Sequence, residues 1–199
     1  MTLEAPSAST YTALLALVAQ TRALMDAVVA TGADDEEIAA VTEELRALTE
    51  RLDAVRRPPA EVGEPRWLMG NAVVGAANPF APPIEIEYLP GGGVRAEQVF
   101  RPLHEGPPGL VHGGVSAMVL DHLLGTALGA VGRGGLTASL TMTYRAPVPF
   151  GTPVVATAEY TRSEGRKSWA DGRMALPDGT VLVEATGLFI TPSWFPGEL

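Results

Sequence analysis

Cysteine is absent from the sequence. Its absence excludes disulfide bonds, thiolate metal sites and a cysteine nucleophile. Basic residues are few, since 14 lysines and arginines stand against 23 aspartates and glutamates and give a net charge of -9. Nucleic acid is therefore not an expected partner, because phosphate contacts need clustered basic side chains. The three histidines show no metal-ligand spacing, so we predict no metal site.

Long uncharged apolar runs are also missing. The most apolar stretch, residues 11–30, carries Arg22 and Asp26, and we predict no transmembrane span. The first ten residues lack the basic segment of a secretory signal, so a cytoplasmic location is expected. A chain of 199 residues is long enough to form one or two domains with a substantial apolar core.

The first 57 residues predict a pair of helices. The first helix covers about residues 10–31 and is followed by a glycine. The second begins after Asp34, with Glu37 three residues later as in a capping box, and ends at about residue 57, before two prolines. This second helix could pack within the chain, or act as a dimerisation or lid element. Its apolar residues recur at steps of three and four, as on a helix that packs against a partner helix: Ile38, Val41, Leu45, Leu48, Leu52 and Val55.

The rest of the chain predicts antiparallel strands around one helix. Two strands come first, an apolar helix follows the letters VHGG, and four strands close the chain. This order indicates an α+β architecture, with a helical hairpin extension at residues 1–57 and the main domain at residues 58–199. In the strand predicted at residues 136–144, strict alternation places Thr137 on the face opposite Tyr144.

The stretch GLVHGGVSAMVLD, at residues 109–121, ends an apolar helix with a carboxylate. A buried carboxylate costs free energy unless it is paired or used, so Asp121 is a candidate functional residue. The first turn of the same helix follows His112 and offers unpaired backbone N–H groups. Gly113 and Gly114 let another atom approach these groups closely. Such a turn suits a carbonyl oxygen or a developing oxyanion.

The spacing along this helix has a consequence for assembly. Asp121 lies roughly 13 Å along the axis from His112, at 1.5 Å per residue. One chain therefore cannot easily bring Asp121 and its own helix start to one substrate carbonyl. Two copies packed side by side and antiparallel would bring the carboxylate of one to the helix start of the other. If both groups serve one carbonyl, the spacing predicts a homodimer or homotetramer with composite sites.

The segment HGGVSAMVLD, followed in order by TAS, YRAPVP, EGRK and EATGLFI, resembles the hotdog-fold acyl-CoA thioesterases. It is similar to the group that contains the PaaI-like enzymes and the thioesterase superfamily member 4 and 5 proteins, over about residues 67–192. The resemblance implies a hotdog fold, in which an antiparallel sheet wraps around a central helix. It also implies hydrolysis of an acyl-CoA to free acid and coenzyme A, without a separate cofactor.

The resemblance also implies roles for residues at matching positions. Asp121 stands at the position of the catalytic carboxylate, as general base or nucleophile, and Thr137 at that of a threonine that helps to position water. His112 orients the loop or touches the substrate carbonyl, and the N–H of Gly113 or Gly114 polarises that carbonyl. Spacing does not distinguish a nucleophile from a general base.

Coenzyme A carries phosphates, so an acidic protein needs local cations to bind it. The resemblance places the turn EGRK, which contains Gly165, Arg166 and Lys167, against these phosphates, and Arg145 is a further candidate cation. The resemblance also matches Asn78 to a loop asparagine that some relatives place near the thioester. We expect the acyl group, fatty or aryl, to lie along the apolar side of the central helix.

Two other functions stay open at this point. An enoyl-CoA hydratase on the same fold would pair an aspartate with a catalytic histidine in another motif, and the sequence lacks that motif. A non-catalytic acyl-CoA-binding or assembly module would use the helical hairpin as its docking surface. Product analysis distinguishes the hydratase from hydrolysis, and tight binding without turnover would indicate the module.

Overall fold

The computed structural model describes residues 8–56, 68–82 and 84–193. The order of its elements confirms the predicted α+β architecture, with a pair of helices ahead of the sheet. A short 3-10 helix also lies between β2 and α3, at Pro102–His104. The longer elements are α1 (Ala8–Ala30), α2 (Asp35–Asp53), β1 (Ile86–Tyr88), β2 (Val94–Val99), α3 (Gly113–Ala130), β3 (Leu136–Tyr144), β4 (Pro153–Glu164), β5 (Lys167–Ala175) and β6 (Val181–Ile190).

The strands form one antiparallel sheet in the order β1-β2-β4-β5-β6-β3. Helix α3 lies against one face of this sheet, where Leu120, Leu123 and Leu124 are fully buried. Two glycines in the sheet allow the close approach of the helix. A Cβ on Gly172 would lie 3.2 Å from the Leu124 side chain, and one on Gly187 would lie 3.1 Å from it. The core is therefore the layer between α3 and the sheet, as expected for a sheet wrapped around a central helix.

Strand β3 departs from strict alternation near its start. Its register against β6 shifts between Thr137 and Ser139, which makes a β-bulge. Thr137 is opposite Phe189 and Tyr144 is opposite Val183; both β6 residues are buried, and residues directly opposite share a face. The prediction that Thr137 and Tyr144 face opposite sides is therefore wrong. The extra residue of the bulge turns Thr137 to the side of the sheet that carries α3.

Helix α1 packs against the sheet domain through one of its faces. Val18 is buried there, and the Arg22 guanidinium donates a hydrogen bond to the backbone carbonyl of Asn78 at 2.8 Å. The Asp26 carboxylate forms an ion pair with Arg101 at 2.8 Å, next to the 3-10 helix. The two charges that interrupt the apolar run thus both have partners in the fold.

Helix α2 begins as predicted and ends earlier. The Asp34 side chain caps it by accepting the backbone N–H of Glu37 at 3.0 Å, and the helix ends at Asp53. Unlike α1, α2 has no buried residue and makes no extensive contact with another helix or strand of the described chain. The helical pair is therefore confirmed, but its second member does not pack against the part of the chain that the structure describes.

Two expectations about the N-terminal region are not decided by the fold. The segment Thr10–Ala30 is long and apolar enough to cross a membrane, judged by length and composition alone, so the absence of a span stays a prediction. The predicted boundary between residues 57 and 58 lies outside the described residues, and the division into two domains stays a prediction as well.

Candidate active site

Asp121 and Thr137, sixteen residues apart in sequence, meet across the space between α3 and β3. The Thr137 hydroxyl donates a hydrogen bond to Asp121 Oδ1 at 2.8 Å. Asp121 is half-buried, whereas its neighbour Leu120 is fully buried. The carboxylate therefore lies at the edge of the apolar layer, held by a polar partner and still reachable from outside. The bulge in β3 makes this contact possible, because it turns Thr137 toward the helix.

The start of α3 is held by His112. Its backbone N–H donates to the His104 carbonyl at 2.9 Å, and its Nδ1 accepts the N–H of Gly114 at 3.0 Å. The sequence left open whether Gly113 or Gly114 polarises a substrate carbonyl. Because Gly114 already donates within the chain, the N–H of Gly113 is the one that makes no hydrogen bond among the described residues.

Tyr144, which the sequence reasoning did not select, completes the helix start. Its hydroxyl donates to the carbonyl oxygen of Gly113 at 2.9 Å. A Cβ on Gly113 would lie 3.2 Å from the tyrosine ring, so a side chain there would press on it. In the sequence, the only indication of a role for Tyr144 was its position as the last residue of the alternating strand, and that indication is weak.

A pocket of about 370 Å³ opens beside this helix start. Its walls are mostly apolar and include Leu110, Val111 and Val148, and Gly113 and Tyr144 also line it. Its size is in the lower range for small-molecule sites. The pocket can therefore take an apolar group next to the free N–H of Gly113.

Ser116 is a second residue that the sequence reasoning missed. It lines the same pocket, one helical turn after Gly113. The residue is 0% exposed, and its hydroxyl has no hydrogen-bond partner among the described residues. An unpaired buried hydroxyl costs about 1–3 kcal/mol, so it is available for a ligand or a water molecule.

The candidate residues fall into two groups, one at the start of α3 and one near its middle. We name Asp121 and Thr137 the carboxylate half. His112, Gly113, Gly114, Ser116 and Tyr144 form the helix-start half. Eight residues separate Gly113 from Asp121, which corresponds to about 12 Å along the axis. Strand β3 also keeps the two groups apart, because Thr137 lies near its first residue and Tyr144 is its last.

The predicted phosphate-binding turn lies near the carboxylate half. Gly165, with φ of 55°, shapes the turn between β4 and β5, and Arg166 and Lys167 are exposed. Lys167 pairs with Ile190 of β6, which pairs on its other side with Leu136 of β3. The turn is therefore two strands, or about 10 Å, from the start of β3.

The candidate cation Arg145, and Arg162 close to the turn, both have partners in the chain. Arg145 lines the pocket of the helix-start half and forms an exposed ion pair with Glu184 at 2.7 Å. Arg162 stacks on the Trp169 ring, 3.4 Å from its centroid. The structure thus separates Arg145 from the turn that holds Arg166, and the two cannot bind one phosphate group within one chain.

Asn78 lies in the loop that α1 contacts. Its side-chain amide donates to the Gly70 carbonyl at 3.1 Å, and its side-chain oxygen accepts the N–H of Phe80 at 3.0 Å. These bonds shape the loop itself. A contact of Asn78 with substrate stays a prediction.

Two histidines behind the site have lowered pKa values. Burial lowers the pKa of His104, and the neighbouring Arg101 lowers it further. Burial also lowers the pKa of His122, against an opposing effect of the Asp121 charge. The described residues contain no group of three or more histidine, aspartate or glutamate side chains able to hold a metal ion.

The comparisons with known proteins agree with this fold. Residues 108–183 match the family model described as the thioesterase superfamily. A crystal structure of a thioesterase superfamily protein superimposes with a TM-score of 0.83 and 33% identity, over 89% of this chain and 90% of that chain. A structure of a hypothetical thioesterase protein with coenzyme A from Streptococcus pneumoniae has a TM-score of 0.51 and 20% identity, over 54% of this chain and 88% of that chain; it supports the fold alone.

Curated relatives match a shorter part of the chain. The acyl-coenzyme A thioesterase THEM4 of Xenopus laevis is 38% identical over 90 residues, which are 45% of this chain and 40% of that protein. The protein of the same name from Mus musculus is 38% identical over 88 residues, 43% of this chain and 37% of that protein. The match thus spans about two fifths of the length of these relatives. From the family model and the 33% identical structure together, the chain belongs to the thioesterase superfamily and has the hotdog fold.

Proposed function

We propose that this protein hydrolyses an acyl-CoA to the free acid and coenzyme A. The observation that carries the proposal is the hydrogen bond from Thr137 to Asp121. It holds a half-buried carboxylate in a fixed place at the edge of an apolar layer. A thioesterase needs such a group to activate water, because neutral water is a weak nucleophile. The curated relatives named acyl-coenzyme A thioesterases support this choice of substrate.

In this mechanism Asp121 accepts a proton from water as the water oxygen adds to the thioester carbonyl carbon. The carbonyl oxygen becomes an oxyanion, which the N–H of Gly113 stabilises. The C–S bond then breaks, and the coenzyme A thiolate takes the proton from the carboxyl group of Asp121. Alternatively, Asp121 attacks the carbonyl carbon directly, and the C–S bond breaks to release the coenzyme A thiolate and leave an anhydride. Water then hydrolyses the anhydride to the free acid and the Asp121 carboxylate, and the proton released by the water goes to the thiolate. His112 fixes the helix start in either case, with Gly114 as its partner.

The proposed enzyme is a homo-oligomer, dimer or tetramer, with composite sites. The carboxylate half and the helix-start half of one chain are about 12 Å apart, which is too far for one carbonyl to contact both. Strand β3 is at the edge of the sheet, so its outer backbone groups are available to a second copy. An antiparallel pair of copies would bring the Asp121 of one to the Gly113 of the other.

The rest of the substrate would follow the surfaces next to the reacting centre. Gly165, Arg166 and Lys167 would bind coenzyme A phosphates near the carboxylate half of one copy, and Arg145 would add a positive charge near the helix-start half of the other. The acyl group, fatty or aryl, would enter the pocket beside Ser116. The reaction would need no separate cofactor, and we propose a cytoplasmic location.

The test is thiol release from a panel of acyl-CoAs of short to long chain, together with phenylacetyl- and benzoyl-CoA. The matched pair of variants is Asp121→Asn and Asp171→Asn. Asp171 accepts a hydrogen bond from Thr186 at 2.6 Å, so it is an aspartate–threonine pair on the other face of the sheet. We expect the first variant to lose release by about 10²–10⁴-fold and the second to keep it.

Other outcomes would contradict the proposal in distinct ways. Equal activity of Asp121→Asn and Asp171→Asn would remove Asp121 from the mechanism. A change in enoyl absorbance without free thiol would indicate a hydratase. Tight acyl-CoA binding without turnover by the folded wild-type protein would indicate a binding module.

A further inference from the structure

Helix α2 exposes an apolar stripe that the described chain leaves uncovered. Ile38 is 45% exposed, Leu48 48% and Leu52 58%. Val41 and Leu45 lie between them on the same stripe and are only half-buried. A periodic stripe of this kind is typical of a helix that pairs with another helix. The stripe therefore lacks a partner among the described residues of one copy.

The charges beside the stripe indicate which helix would cover it. Glu44 precedes Leu45 and Arg51 precedes Leu52, so both flank the stripe on the same side. If two α2 helices run antiparallel with Leu45 opposite Leu48 of the partner subunit, Glu44 lies beside Arg51 of the partner subunit. The symmetry of the pair produces this contact twice. Neither Glu44 nor Arg51 has an ion-pair partner among the described residues.

A parallel pair of α2 helices fits less well. In a parallel, in-register pair, a flanking residue meets the flanking residue five positions later in the partner helix. Glu44 would therefore face Thr49 of the partner subunit, and Arg51 would face Arg56 of the partner subunit. The first contact gains no charge attraction and the second is repulsive. The charge pattern therefore favours the antiparallel direction.

A lipid surface is also a poor match for this stripe. α2 carries five glutamates and two aspartates between residues 35 and 53, against two arginines. Helices that lie on membranes carry mainly basic residues on the polar face, because the lipid surface is anionic. The acidic surroundings therefore point to a protein partner.

We propose that α2 binds α2 of a second copy of this chain, antiparallel, with Leu45 and Leu48 at the centre of the contact. This contact is separate from the edge of β3 and does not depend on the proposed hydrolase activity. It joins copies of the protein through the N-terminal helix and leaves both halves of the candidate active site uncovered by α2.

The test is a charge exchange in the full-length chain. Glu44→Arg and Arg51→Glu each place like charges at both contacts, so each variant should self-associate about tenfold more weakly than wild type. In an equal mixture the two variants restore attraction at both contacts, and association should return to the wild-type level. Glu50→Arg makes the same charge change on the outer face of α2 and should have no effect. Sedimentation velocity over a concentration series measures the self-association of wild type, the three variants and the mixture. Circular dichroism checks that the helices stay folded.

The absence of cysteine provides a second readout of direction. Spin labels on the single variants Glu50→Cys and Glu36→Cys report the separation between copies. In the antiparallel pair, the labels at residue 50 are offset by about 10 Å along the axis and those at residue 36 by about 31 Å. The proposal is overturned if the labels at residue 50 are not closer together than the labels at residue 36. It is also overturned by association that is unchanged in Glu44→Arg and Arg51→Glu, or that is weakened in each and not restored by mixing.

Discussion

The start and the middle of α3 carry candidate groups of different kinds. At the carboxylate half, two side chains meet, and a bulge in the neighbouring strand brings them together. At the helix-start half, the proposed oxyanion donor is the backbone N–H of Gly113, and the side chains of His112 and Tyr144 hydrogen-bond to the backbone beside it. A substitution can therefore remove the first kind of group directly. The second kind can be removed only by changing the backbone itself.

Each half lacks a group that the other half contains. The carboxylate half contains a proton acceptor but no free backbone donor, and the helix-start half contains a donor and an apolar pocket but no carboxylate. One helix bears both, about 12 Å apart. In the proposed mechanism this distance requires a second copy, because neither half alone could both activate water and stabilise an oxyanion.

After Asp121→Asn, removal of the free N–H of Gly113 should have the largest effect. Gly113→Pro deletes it at the first helical position, where proline is well tolerated. His112 already has the extended conformation that a following proline requires, with φ of -60° and ψ of 132°. We expect kcat to fall about 10²–10³-fold, as for the loss of one oxyanion donor. Gly113→Ala is the matched control, because it adds a similar contact with Tyr144 and keeps the N–H; equal losses in both variants would assign the effect to crowding.

Breaking the side-chain contact of the carboxylate half should have a smaller effect. Thr137→Val keeps the shape of the side chain and removes the hydroxyl that donates to Asp121. A hydrogen bond to a charged group is worth about 1.5–3 kcal/mol, so we expect kcat to fall about 10–100-fold with little change in KM. Thr137→Ser should recover most of the rate. Steady-state thiol release measures both, and a serine variant as slow as the valine variant would contradict a role for the hydroxyl.

The exposed turn beyond the carboxylate half should contribute to binding only. Arg166→Ala and Lys167→Ala each remove an exposed charge, and exposed charge pairs are worth about 0.2–1 kcal/mol. We expect KM for the acyl-CoA to rise up to about fivefold at low salt while kcat stays unchanged. Arg56→Ala, which removes a cation near the end of α2, is the control and should leave KM unaltered. A fall in kcat would contradict this prediction, because it would mean that the turn lies nearer to the reacting atoms than the strand register indicates.

Acidification should lower the free energy of unfolding modestly. His104 and His122 have pKa values lowered by burial, so the unfolded chain binds protons before the folded chain does. The free energy of unfolding should therefore decrease as the pH falls below about 6.5, the ordinary histidine pKa. Urea unfolding at pH 7.5, 6.0 and 5.0 measures this decrease, and His122→Gln should make it shallower. A decrease of the same size in His122→Gln would exclude a contribution from His122.

The sequence predicted which two residues form the candidate pair better than it predicted the geometry that joins them. The positions of Asp121 and Thr137 followed from a family resemblance, but alternation in β3 placed Thr137 on the wrong face. A bulge adds one residue to a strand, and Leu136 to Tyr144 alternate equally well with or without it. Contacts of this kind depend on the partner strand, and local sequence does not encode them.

Other features escaped sequence reasoning for different physical reasons. Ser116 is a single small polar residue in an apolar run, so only its burial without a partner draws attention to it. The period of α2 predicted a helix that packs against a partner, but the described chain provides no such partner, and a pattern does not specify whether the partner is α1 or another copy. By contrast, the separation between Gly113 and Asp121 follows from helix geometry alone, and the sequence was sufficient to predict it.

The central claim is that each site takes its carboxylate from one copy and its helix start from another. Two inactive variants, Asp121→Asn and Gly113→Pro, test it directly when they are co-expressed with different affinity tags and purified as one mixed oligomer. In a mixed dimer, one of the two sites combines the intact Asp121 of one copy with the intact Gly113 of the other. Thiol release at about half the wild-type rate would agree with composite sites, and a mixed oligomer as inactive as its parents would contradict them.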